Sequence, residues 1–183
     1  PGSEIAVGGP ITIEYTATDF SGNTAICSFE VMVIDSQDPI FDADILMPGD
    51  VTVECDDIPL AFVLTNDDVQ DNCTAPEDLV IVYTEVSTQD PDQSVCGHYD
   101  YTLTRTWTVT DEAGNTTTHV QVVTVEDATP PDAVCMDITV TLDKFGLASI
   151  LPADLDGGST DNCAAPDFLS LVASQTDFDC TDL

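Results

Sequence analysis

WTVTDEAGNTTTHVQVVTVEDATPP, Trp107 to Pro131, decides the fold, because a second version of it, YTATDFSGNTAICSFEVMVIDSQDP, runs from Tyr15 to Pro39. Asp111 follows Asp19 by 92 positions. The same offset carries Gly22 to Gly114, Asn23 to Asn115, Val31 and Val33 to Val123 and Val125, Asp35 to Asp127 and Pro39 to Pro131. A gapless match of this length is an internal repeat.

Each copy has the chemistry of a β-hairpin. Before the turn, Ile11, Ile13, Tyr15 and Ala17 alternate with Thr12, Glu14, Thr16 and Thr18, and Leu103, Trp107 and Val109 alternate with threonines. A period of two puts one face into a core and the other into water. The turn is D-x-x-G-N: its Asp accepts hydrogen bonds from the turn's amides, and its Gly takes the positive φ that a right-twisted hairpin needs. A β-branched run then returns and ends in an acidic, proline-bearing connector that reads as a domain boundary.

The charge balance is extreme, with 35 acidic residues against Arg105 and Lys144 alone and a formal charge of −33. Phosphate binding needs basic side chains, so nucleic acid is excluded as a partner, and so is an anionic membrane surface. A hydrophobic fraction of 43% is too high for a disordered acidic tail, which places the acid on folded surface. Divalent cations or high ionic strength relieve such self-repulsion, and a surface adapted to salty water is the plainer alternative. No run of 18 apolar residues exists, so no membrane-spanning helix is expected. The start, Pro1-Gly2-Ser3-Glu4, lacks the basic region and apolar core of a signal peptide. Because a hairpin arrives by residue 15 with nothing ahead of it to pair with, Pro1 is not expected to be a natural start, and the sequence reads as a piece of a longer chain.

A second repeat sets the domain plan. DNCTAPEDL at Asp71 to Leu79 recurs as DNCAAPDFL at Asp161 to Leu169, and VTVECDD at Val51 matches ITVTLDK at Ile138 in strand pattern. Residues 1–35 therefore read as the closing strands of one domain, 36–127 as a complete domain, and 128–183 as the opening strands of another. Joining 132–183 to 1–35 makes one more complete domain. The chain is then one period of a two-domain array, continued head to tail either covalently or by strand exchange between subunits.

The seven cysteines fit a disulfide framework and hence an oxidising, extracellular compartment. Cys73 and Cys163 are equivalent through DNC, and each is followed about 20 residues later by another cysteine. This pairs Cys73 with Cys96 and Cys163 with Cys180. Cys27 and Cys135 match His119 and Pro48, or a neighbour of Pro48, in the middle domain, and their joint absence there suggests that they bond each other. Cys55 is left as a buried thiol or the survivor of a lost bridge. Cys96-x-His98 alone is weak evidence of zinc.

Neither His98 nor His119 lies in a motif with a nucleophile, and carboxylate pairs carry no information in so acidic a chain, so no enzyme is expected. Arg105 and Trp107 share one strand face and are read as an internal stack rather than a ligand platform. Calcium is the one cofactor the residues argue for, since it takes six to eight oxygens and the junctions are acid-rich. Its candidate ligands are Asp35, Asp38 and Asp42 at the first junction, Asp127 and Asp132 at the second, and Asp71 and Asp161 in the DNC loops. Lys144 is the sole lysine, which leaves isopeptide crosslinking little to work with and assigns covalent stiffening to disulfides.

Several motifs together resemble the hyalin repeat (HYR) family and, more closely, the tandem modules of giant surface adhesins exported by Bacteroidota. They are VECDDIP from Val53 to Pro59, the DNC loops, Cys96-Gly97-His98-Tyr99 leading into Tyr101 to Trp107, TDEAGN and TDFSGN, LDKFG at Leu142 to Gly146, and DLDGGSTDNC at Asp154 to Cys163. The resemblance spans nearly the whole chain. It implies an all-β fold of tandem immunoglobulin-like β-sandwiches, an extracellular or cell-surface location, and a part in a surface fibre, stalk or adhesin with neighbouring copies or modules as partners. The alternative is an adhesion module that binds a glycan or a protein through its loops. Related modules carry a cysteine in the D-x-x-G-N turn where Ala113 and Ser21 stand here, which would account for an unpaired Cys55.

Overall fold

The computed structural model describes residues 9–182, and the described chain is all-β. Residues 1–8 of the first expected segment, and Leu183, lie outside the described residues. The strands are β1 (Ile11–Thr18), β2 (Thr24–Val31), β3 (Ile40–Phe41), β4 (Val51–Val53), β5 (Val69–Gln70), β6 (Val80–Ser87), β7 (Tyr101–Thr110), β8 (Thr116–Val125), β9 (Leu147–Ser149) and β10 (Asp177–Asp179), with short 3-10 turns between several of them. They form one four-stranded sheet ordered β4-β8-β7-β6 and three two-stranded ones, β1-β2, β3-β5 and β9-β10. The chain divides into two compact units: Pro1–Pro48 with Phe62–Thr84 and Thr106–Val120, and Gly49–Ala61 with Glu85–Arg105 and Gln121–Leu183. The divisions fall inside β6, β7 and β8.

In the first unit the two D-x-x-G-N turns are the same object. Asp19 Oδ1 accepts the Asn23 amide at 2.8 Å and Asp111 Oδ1 accepts that of Asn115 at 2.7 Å. Each Asp Oδ2 takes the asparagine side-chain amide at 2.7 Å. Gly22 and Gly114 sit at φ of 87° and 92°, where a Cβ would be strained. The small core joins Val69, Leu79 and Val109, with Phe41, Leu64 and Ile81 packed on it, so the β3-β5 pair lies against the Val109 face of β7. Trp107 is 1% exposed; its indole N–H donates to the Phe62 carbonyl at 3.1 Å, and its ring lies between Tyr83 and His119.

The hairpins differ in what covers them. Leu103, Arg105, Trp107, Val109 and Asp111 alternate as buried residues along and just beyond β7, and Gln121, Val123 and Val125 do so in β8. Their counterparts across β1 and β2, paired from Ile11↔Val31 to Thr18↔Thr24, are exposed apart from the half-buried Ile11 and Val31 at the open end, with Tyr15 at 61% and Phe29 at 51%. The expectation that β1 turns one face into a core is therefore corrected. The alternation is present, but its apolar face has no layer over it.

In the second unit β4 runs parallel to β8, Val51 opposite Val123 and Val53 opposite Val125, a non-local pairing that no hairpin could supply. Leu103, Val123 and Val125 form its core with Val53, Cys55, Ile58 and Tyr101 against them. Arg105, 4% exposed, is held by Glu85 at 2.7 Å, the Pro59 carbonyl at 2.8 Å and Gln121 at 3.5 Å, which makes it a structural cation. Residues 138–140 match β4 in pattern but carry no strand. A strand needs a partner for its amides as well as an alternating pattern, and β4 has β8.

Candidate functional site

The DNC loops are built alike. Asp71 Oδ2 accepts the amides of Cys73 and Thr74 at 2.8 and 2.9 Å, and Asp161 Oδ1 accepts those of Cys163 and Ala164 at 2.8 and 2.7 Å. A 3-10 turn follows each, Pro76–Asp78 and Pro166–Phe168. The strand contact Ile40↔Gln70 recurs as the bridge Asp132↔Thr160. Each Asp is fixed by its own loop, which leaves its other oxygen free to face something else.

What the oxygens face is acid. In the first unit one carboxylate oxygen from each of Asp35, Asp71 and Asp111 lies within 4.8 Å of the others. Asp35 Oδ2 and Asp71 Oδ1 are buried without a hydrogen-bond partner. A cavity of about 290 Å³, lined by Met32, Ile34, Cys73, Thr74 and Ala113 among others, opens beside Asp35. In the second unit Glu54 and Asp127 approach within 4.8 Å beside Cys163, and Asp127 Oδ1 is again unpartnered. Burial first, and then the charges of Asp161 and Glu54, push the Asp127 carboxyl above its ordinary range. The structure thus brings Asp35 to Asp71 and sets Asp127 within reach of Asp161's charge. Asp38, Asp42 and Asp132 belong to neither cluster, and Asp42 caps its own turn through the Asp44 amide.

Glu54 and Asp111 were not legible as site residues. Asp111 has the sequence signature of a turn cap, which it also is, and Glu54 is 73 residues from Asp127. Only the fold brings them in.

The disulfide expectation is corrected. Cys163 bonds Cys55, 108 residues away, with Cα atoms 5.8 Å apart, and Cys180 is free, its sulfur 3.9 Å from the Gly146 carbonyl where β10 meets β9. Cys73 and Cys96 are likewise free and exposed. The extended strand β6, eight residues and about 26 Å of chain, lies between them in sequence, so a spacing of about 20 was no sign of proximity. Cys96 instead donates to Asp100 Oδ2 at 2.6 Å, and that carboxylate raises the thiol's affinity for its proton. His98 is turned to the Asp90 carbonyl at 2.6 Å, so Cys96 and His98 do not converge as zinc ligands. Cys27 and Cys135 are free and exposed.

No helix among the described residues is long and apolar enough to cross a membrane. No curated protein and no solved structure matches the chain. The segment that does find a counterpart is the first copy of the hairpin, with the turn and β-branched return that recur at β7 and β8: residues 1–33 match the family model of the HYR domain.

Proposed function

We propose that the chain is a structural repeat unit of an extracellular bacterial surface fibre, stalk or adhesin, in which one copy's β1-β2 hairpin closes the open half-sandwich, residues 132–182, of a neighbouring copy. The observation that carries this reading is the contrast between twin hairpins: most positions buried in β7 and β8, Arg105, Trp107, Val109 and Gln121 among them, have exposed counterparts in β1 and β2. The receiving surface is apolar as well, with Val134, Met136, Val140, Leu171 and Val172 all exposed. In the module that has its hairpin, β8 pairs in parallel with β4. The offsets carry Val123 to Val31 and Val51 to Ile138, so Val31 and Val33 of one copy fall opposite Ile138 and Val140 of the next. This is strand addition to an open sheet edge.

A covalent lock follows from the same correspondence. His119 Nε2 lies 2.7 Å from the Pro48 carbonyl. Cys27 is the counterpart of His119, and Cys135, by the offset that carries Val51 to Ile138, that of Pro48. Docking sets the two thiols together. Oxidised glutathione takes their two electrons and two protons, forming one protein disulfide and two reduced glutathiones.

The test uses the full chain, concentrated with oxidised glutathione and resolved without reductant. The expected product is a ladder whose peptides, from mixed isotope-labelled and unlabelled copies, join Cys27 of one to Cys135 of another. Cys27→Ser and Cys135→Ser each abolish the ladder, and mixing the two variants gives a dimer only. A chain that stays monomeric with both thiols free overturns the proposal.

A further inference from the structure

We infer that Asp35, Asp71 and Asp111 form a calcium site at the junction between the β1-β2 segment and the domain that follows, and that the facing Glu54 and Asp127 begin an equivalent site at the next junction. This rests on the modular reading above and assigns its joints a chemistry. The three carboxylates are not a surface cluster. Asp35 is 8% exposed and Asp111 5%, one carboxylate oxygen of each of the three lies within 4.8 Å of the others, and Asp35 Oδ2 is buried and accepts no hydrogen bond, with the Cys73 thiol beside the same carboxylate.

Each carboxylate is pinned from behind. Asp35 Oδ1 takes the Gln37 amide at 3.1 Å, Asp71 Oδ2 takes two loop amides, and Asp111 takes both amides of Asn115. These bonds orient the carboxylates without supplying positive charge. Of the chain's two basic side chains, Arg105 is bound to Glu85 and Lys144 lies over Phe145. Two buried carboxylates and a half-buried third, facing one another with no basic side chain among them, are stabilised by a cation between them.

The donors choose the cation. All are hard oxygens, from three separate turns with no imposed octahedron, which suits calcium better than magnesium, and loop carbonyls or water from the adjoining cavity complete the shell. The positions recur because the repeat recurs: Asp127 stands 92 residues after Asp35, and Asp161 stands 90 after Asp71, with Asp127 Oδ1 again unpartnered. Asp111's counterpart is Asp19, on the hairpin that a neighbouring copy would bring to the second junction. Each cation would tie the exit strand of one module to the DNC loop and closing turn of the next.

Titration of the calcium-free chain with calcium chloride tests this by calorimetry and by thermal unfolding. Expected are saturable binding and a rise in unfolding midpoint that sodium chloride of equal ionic strength does not reproduce. Asp35→Asn and Asp71→Asn each remove one binding event, while Asp38→Asn and Asp42→Asn retain it. If a substituted chain fails to fold, chelator treatment of the unsubstituted chain still decides, since an unchanged midpoint overturns the site. A calcium stoichiometry left unchanged by Asp35→Asn, or binding that zinc but not calcium provides, also overturns it. Disulfide ladders formed in excess chelator would separate failure of this site from failure of hairpin exchange.

Discussion

At the scale of residues, the two turns and one arginine show how little of the acid is idle. Asp19 is held below the ordinary carboxylate range first by the Asn23 side-chain amide and then by backbone amides of its turn, with slight desolvation opposing. A folded-state pKa that is depressed contributes stability above the unfolded value, about 3.9, and loses it as pH falls through the folded value. The Asn23 amide resonance should therefore titrate with a midpoint below about 3.9, and Asp19→Asn should abolish that transition. A midpoint at or above the ordinary value would mean that the carboxylate does not cap the turn. Arg105 belongs to the interior: its side chain is 5% exposed against 37% for Glu85. Because Glu85 recovers water when the pair is broken, Arg105→Ala is expected to cost about 2–3 kcal/mol, below the usual figure for a fully buried pair. Urea denaturation measures it, and a loss under about 0.5 kcal/mol would place Arg105 among ordinary surface residues.

At the scale of elements, the Cys55–Cys163 bridge joins residues 108 positions apart. Cys55→Ser should lower stability by about 2–5 kcal/mol, toward the upper end because restricting the unfolded chain gains with loop length. Reductant should lower the unfolding midpoint of the parent chain but not of the variant, and an equal response in both would show that the bridge does not form. The bridge also shows what the sequence could carry. Both hairpins were legible, because turn chemistry and a period of two lie within 20 residues. The DNC loops were legible as repeats for the same reason. The partner of Cys163 was not, because pairing over 108 positions is decided by how β4 lies beside β8, a parallel contact with no local signature. Residues 138–140 make the complementary point: with β4's pattern but no β8 beside them, they form no strand. Of the candidate site, Asp35 and Asp71 could be read from the repeats, whereas Glu54 and Asp111 waited on the fold.

At the scale of the whole molecule, the net charge of −33 opposes compaction everywhere, while the facing carboxylates of Asp35, Asp71 and Asp111 oppose it at one place. The two contributions respond differently to ions. Diffuse repulsion is relieved by any salt, since the screening length falls from about 30 Å at 0.01 M to about 10 Å at 0.1 M. A buried cluster is reached much less by mobile ions and needs a bound one. Raising sodium chloride from about 0.01 M to about 0.1 M in the calcium-free chain should therefore lift the unfolding midpoint by a few degrees and then flatten, because further salt shortens an already short screening length. Relief of about 1–2 kcal/mol corresponds to roughly 2–8 °C for a chain of this size. Asp35→Asn should raise the midpoint at every salt concentration when calcium is absent, because it removes one of three facing charges, and should lower it relative to the parent chain when calcium is saturating. That reversal of sign separates a cation site from general acidity: a substitution that stabilises under both conditions would mean that the junction gains nothing from a bound ion.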